Sequence, residues 1–134
     1  MKKTIFIIAL VASAMLVQAQ TAKIIFIRNT GYNWGGAFRV FIDDKAVCKI
    51  QNKRFSVHQV PVGQHTVSAQ ITSTSASKKT KEEALTITVE DGKEYYVKLV
   101  VSKGLIRNLF CEEVTATTWL KQKHKIQEEA NCLE

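Results

Sequence analysis

His65-Thr66-Val67-Ser68-Ala69-Gln70-Ile71 alternates in character without a break. His65, Val67, Ala69 and Ile71 fall on one face, and Thr66, Ser68 and Gln70 on the other. This is the period-two signature of a half-buried strand. The same period extends in both directions. Upstream, residues 54–60 read as a strand closed by Pro61-Val62-Gly63-Gln64, whose proline and glycine set a turn. Before it, Phe38, Val40 and Ile42 alternate with Arg39 and Phe41. Asp43-Asp44-Lys45 then turns the chain into Ala46-Val47-Cys48-Lys49-Ile50, a predicted hairpin. Lys23-Ile24-Ile25-Phe26-Ile27-Arg28 is β-branched and continuous enough for a central strand. Downstream, Leu85, Ile87 and Val89 alternate with Thr86 and Thr88. Asp91-Gly92 predicts a hairpin into Tyr95-Tyr96-Val97-Lys98-Leu99-Val100-Val101. Residues 105–114 supply a last strand.

About seven to eight short strands with frequent turns imply a mainly-β fold, a single antiparallel β-sandwich, with a barrel as the close alternative. From about Thr117 the composition changes to Lys, Gln and Glu. Trp119, Ile126, Ala130 and Leu133 recur there near helical spacing, which predicts a C-terminal α-helix packed by Trp119. Thr117 or Thr118 is the predicted N-cap. The polar stretch Thr72 to Glu83 reads as a loop.

The N-terminus has the form of an export signal: Lys2-Lys3, the apolar run Ile5 to Val17, then Val17-Gln18-Ala19. The run is shorter than the roughly 20 apolar residues of a spanning helix. The expected plan is a signal peptide at 1–19, a β-sandwich domain at 20–114 and a helical tail at 115–134. The expected location is the periplasm or the extracellular space, with no transmembrane segment after cleavage. Without Lys2 and Lys3 the formal charge falls from +7 to +5, with 17 Lys and Arg against 12 Asp and Glu. The basic clusters Lys78-Lys79-Lys81 and Lys121, Lys123, Lys125 lack interleaved aromatic residues for stacking bases. They read as a solvated loop and a solvated helix face, and no nucleic-acid partner is expected.

Three segments in order, Ala22 to Arg28, Val57-His58-Gln59-Val60-Pro61-Val62-Gly63-Gln64-His65-Thr66-Val67, and Asp91-Gly92-Lys93-Glu94-Tyr95-Tyr96-Val97, carry a resemblance. Over residues 22–114 the chain resembles a bacterial exported family catalogued as domain of unknown function 2846, and more widely the PEGA-like surface β-domains. Val62 departs from the pattern by standing between Pro61 and Gly63, where the family-like turn runs Pro-Gly directly. The resemblance implies a β-fold and an envelope location, and it implies no activity. Pro61, Gly63, His65, Tyr95 and Tyr96 are the residues of its structural motif.

Each candidate site has a structural counterpart. His65 begins an inward-facing set, where its imidazole is placed to donate to a turn carbonyl and pin the chain. Metal ligation or base catalysis needs partners that the sequence does not set beside it, and His58 is its one neighbour in sequence. The cysteines Cys48, Cys111 and Cys132 are odd in number, and their spacings match no metal-binding pattern. Cys48 shares its face with Ala46 and Ile50, and Cys111 is in phase with Leu109, so a Cys48–Cys111 disulfide is one pairing. Cys132 either pairs with Cys111 or stays a thiol. Tyr32, Asn33 and Trp34, in a glycine-rich loop, offer stacking rings and an amide for sugar or peptide contacts. Their structural counterpart is Trp34 capping the open end of the core. Tyr95 and Tyr96 occupy opposite faces of one strand, one ring in the core and the other able to rest under the helix.

No paired carboxylates, nucleophile motif or phosphate-cradling glycines occur. The expectation is therefore a non-catalytic exported envelope domain without a cofactor or metal, acting by protein or polysaccharide contacts or as a structural part. One alternative is a carbohydrate-binding module using Tyr32 and Trp34. The other is a small hydrolase or redox enzyme, which requires His65 or His58 beside Cys48 or a carboxylate.

Overall fold

A computed structural model of the protein describes residues 20–31, 36–71, 84–102, 108–130 and 132. The described strands are β1 (Thr21–Arg28), β2 (Phe38–Ile42), β3 (Lys45–Ile50), β4 (Arg54–Pro61), β5 (Gly63–Ile71), β6 (Leu85–Val89), β7 (Glu94–Val101), β8 (Leu109–Val114) and β9 (Gln127–Glu128). One helix, α1 (Ala116–Lys123), lies between β8 and β9. They form two sheets, one ordered β8-β7-β1-β4-β9 and the other β3-β2-β5-β6. The fold is a β-sandwich with a C-terminal helix.

β1 is the central strand of the larger sheet. Its inner positions Ala22, Ile24 and Phe26 belong to the core between the sheets, while Ile25 and Ile27 on its other face lie in a second cluster with Trp119 and Ile126. A strand buried on both faces is apolar throughout rather than alternating, which accounts for the unbroken run in this segment. β5 alternates in sequence, yet Ser68 on its other face is buried as well. Its inner residues His65 and Val67 are buried, and its register with β2 sets Val40 opposite Ala69.

Asp91-Gly92 does not close a hairpin. β6 pairs with β5 in the smaller sheet, whereas β7 pairs in parallel with β1 and antiparallel with β8 in the larger one. Gly92, at φ +72°, turns the chain from one layer to the other, and its N–H donates to the Thr21 carbonyl at 2.9 Å. Left-handed backbone at this corner suits glycine, so the turn chemistry is right while the strand partners differ. The Pro61–Gly63 corner is likewise a layer crossing, with Gly63 at φ +133°. Asp43 and Asp44, by contrast, do turn β2 directly into its antiparallel neighbour β3.

The helix is shorter than its sequence period suggests. Thr115, not Thr117 or Thr118, is the N-cap, and its hydroxyl accepts from the Thr118 N–H at 3.3 Å. Beyond Lys123 the chain leaves the helix to pair Gln127 and Glu128 with Arg54 and Phe55 of β4. Ile126 is still buried with Trp119, so the apolar spacing reports a shared packing face rather than continuous helix. Lys121 and Lys123 lie in the last helical turn, where cations complement the helix dipole. Lys121, Lys123 and Lys125 are all exposed.

Candidate functional site

The two histidines singled out in the sequence sit in different chemical settings. His65 lies in β5 two residues after Gly63, beside the layer-crossing corner, buried at 8 % exposure. Its Nδ1 lies 2.6 Å from Asp43 Oδ2 and its Nε2 lies 2.6 Å from the Pro61 carbonyl. Asp43 comes from the turn between β2 and β3, at φ +51°, and its Oδ1 also accepts from the Thr66 N–H at 3.0 Å. The imidazole thus ties the hairpin turn of one layer to the corner leading out of the other. Pro61 and Gly63 frame that corner.

Burial opposes the charged form of His65, but the Asp43 carboxylate and the Pro61 carbonyl outweigh it and hold the pKa above its ordinary value. Partial burial likewise pushes Asp43 up, yet the contacts with His65 and the Thr66 N–H bring it below the usual carboxylate value. A doubly protonated ring supplies two N–H donors for two acceptors, whereas a neutral ring has only one. The folded pKa of His65 therefore exceeds the unfolded one. Its contribution to stability is complete below about pH 6.5 and is lost as pH rises through the higher folded value.

His58 has the opposite sign. It points between the sheets from β4, its ring edge-on to Phe26 with centroids 5.7 Å apart, and its Nε2 lies 2.8 Å from Ser56 Oγ. Burial lowers its pKa. The unfolded chain then binds this proton more readily, so stability falls as pH drops below about 6.5. Melting temperature followed from pH 5 to 9 is expected to fall on both sides of a maximum near neutrality. His65→Gln should flatten the alkaline limb and leave the acid limb in place. An unchanged alkaline limb in His65→Gln would remove the clamp from the account.

The cysteines join differently from the Cys48–Cys111 pairing. Cys48 is bonded to Cys132, across 84 residues, and the buried Cys111 is outside the bridge. The reason lies in the topology. β3 lies over β4 at one side of the sandwich, while β8 lies over β5, toward the other. Cys48 and Cys111 both point inward from opposite sides. The segment following β9 instead carries Cys132 to the side occupied by β3 and β4. That convergence also places His58 at the bridge: one ligand atom from each of Cys48, His58 and Cys132 lies within 4.8 Å of the others. Histidine and cysteine spacing in the sequence gives no hint of this cluster, because its members come from β3, β4 and the tail.

Arg28 is a second feature missed by reading side-chain types alone. It continues the inward phase of Ala22, Ile24 and Phe26, which was the available signal, and it is fully buried. Its Nη1 donates to the Gly36 and Ile50 carbonyls at 2.6 and 2.9 Å, and the guanidinium lies 3.5 Å from the Phe38 ring centroid. Burial lowers its pKa to about 10, which leaves it charged at neutral pH. Arg28 ties the end of β1 to the end of β3 and to Gly36 in the loop that precedes β2.

That loop includes Tyr32, Asn33 and Trp34, which lie outside the described residues, as do the N-terminal segment 1–19 and the Lys78-Lys79-Lys81 cluster. Tyr95 packs against the core between the sheets, and its hydroxyl accepts from the Glu90 N–H at 2.9 Å. Tyr96, on the opposite face, stacks on Trp119 under the helix with centroids 5.9 Å apart. Compared with known proteins, the chain matches no protein-family model and no curated protein.

Proposed function

We propose that the protein is a non-catalytic exported domain of the bacterial envelope that binds an envelope protein or polymer through its loops and sheet edges. The observation that carries this reading is the engagement of His65. The histidine that most resembles a catalytic base in the sequence spends both ring nitrogens on Asp43 and the Pro61 carbonyl. That arrangement fastens two turns together and keeps neither nitrogen for a substrate. The export-like N-terminus, Lys2-Lys3 ahead of the apolar run Ile5 to Val17, supports the location. Edge strands β6 and β8 each pair on one side only among the described residues, which offers backbone groups to a partner. Among the described residues, no helix is long and apolar enough to cross a membrane.

The test is capture from detergent-solubilised envelope on immobilised protein spanning residues 20–134, with a Tyr32→Ala/Trp34→Ala double variant beside it. Saturable retention of one envelope component by the parent protein is the expected result. Loss of that component in the double variant assigns the contact to the loop, and equal retention assigns it to the sheet edges. Retention of no component by either form would overturn the binding reading.

A further inference from the structure

The disulfide and the imidazole beside it make one cluster with two chemical states. Cys48 is buried in β3, Cys132 is half-buried in the tail, and His58 projects from β4. These are the residue types that thiophilic cations select. Their ligand atoms, within 4.8 Å of one another, need little rearrangement to surround an ion. At Zn–S distances of about 2.3 Å, two thiolate ligands sit roughly 3.8 Å apart, so the sulfurs have only to separate once their bond is cut. Ser56, fully buried, anchors the His58 ring through its hydroxyl. An orienting partner of this kind is what holds an imidazole in place at a metal site.

We propose that reduction of the Cys48–Cys132 disulfide opens a binding site for a closed-shell thiophilic cation, Cu(I) or Zn(II), made of the Cys48 and Cys132 thiolates and one His58 ring nitrogen. The exchange balances. A dithiol reductant gives up two electrons and two protons, its own sulfurs join, and the protein gains two thiols. Metal binding then displaces those two protons and forms two metal–sulfur bonds and one metal–nitrogen bond. Oxidation and metal loading are mutually exclusive, because the disulfide occupies both sulfur donors. Cu(I) is satisfied by the three ligands, while Zn(II) takes a water as its fourth. The inference goes beyond the proposed envelope-binding role and does not depend on it.

The test titrates Cu(I) and, separately, Zn(II) into phosphine-reduced, desalted protein under anaerobic conditions against a chromophoric competitor. Co(II) serves as the spectroscopic probe. The reduced protein is expected to bind one equivalent, with thiolate-to-Co(II) charge-transfer bands, and the oxidised protein none. His58→Ala should weaken binding by more than about 100-fold, and Ser56→Ala by about 10-fold. Circular dichroism of the reduced parent and of each reduced variant establishes that it is folded, and His58→Gln replaces His58→Ala should the latter fail that check. Preference for one ion identifies the cargo. Equal affinity in reduced parent and folded His58 variant, or equal affinity in the oxidised and reduced protein, would overturn the site.

Discussion

Trp119→Ala is expected to destabilise the protein by about 3–5 kcal/mol, the usual cost of removing a buried tryptophan side chain. Trp119 is 6 % exposed and joins the helix to the outer face of the larger sheet. It meets Phe55 edge-on at 4.9 Å and stacks on Tyr96 at 5.9 Å. It shares its cluster with Ile25 and Ile27, the residues that let the central strand be apolar on both faces. Truncation leaves a cavity over three neighbouring strands and uncovers the aliphatic surface of Ile25 and Ile27. Urea denaturation followed by circular dichroism measures the loss. A cost below about 1 kcal/mol would mean that the sheet closes over the gap, and the helix would then be a minor part of the fold.

Cys132→Ala is expected to cost about 4 kcal/mol under oxidising, metal-free conditions. The bridge spans 84 residues, and in the chain-entropy account a loop near that length constrains the unfolded ensemble by about 4–5 kcal/mol. Alanine at 132 spares the buried Cys48 seat, so little core volume is lost. The urea midpoint should fall while the dependence on urea steepens, since an uncrosslinked chain exposes more surface on unfolding. An unchanged midpoint would show that the tail is held by its other contacts. Among those are the Gln127 N–H donating to the Lys53 carbonyl at 3.1 Å, the Glu129 N–H donating to the Phe55 carbonyl at 2.8 Å, and the Glu129 carboxylate accepting from the Gln51 N–H at 3.2 Å.

Much of the architecture is legible in residue character. Alternation in 85–89 separates inside from outside. In 65–71 it does so only in part, because Ser68 on the other face is buried as well. The unbroken apolar run of β1 marks a strand covered on both faces. Period two carries no information on which strands pair. Asp91-Gly92 shows this most directly, because a glycine that permits left-handed backbone serves a hairpin and a layer crossing equally well. The helical spacing of Trp119 and Ile126 is similar: one buried face is reached first by helix and then by extended chain. Site chemistry was least legible. Asp43 lies 22 residues from His65, and Cys132 lies 84 from Cys48. Only the folded topology makes neighbours of groups so far apart. Arg28 was hidden by its charge, since a buried arginine is found by following strand phase and not by hydropathy.

The place of β1 fixes an order of assembly. It is the first described strand in the chain and the middle one of its sheet, between β4 and the parallel β7. A nascent chain that ends before Glu94 lacks β7, which leaves one edge of β1 open and the central sheet incomplete. Pairing across so much sequence is slow, because the loop must close before its contacts repay the lost entropy. The partner that would close the sheet is made late, and Cys132 later still. A growing chain therefore keeps one edge of β1 unpaired until β7 has been made, and the Cys48–Cys132 bridge closes only after that.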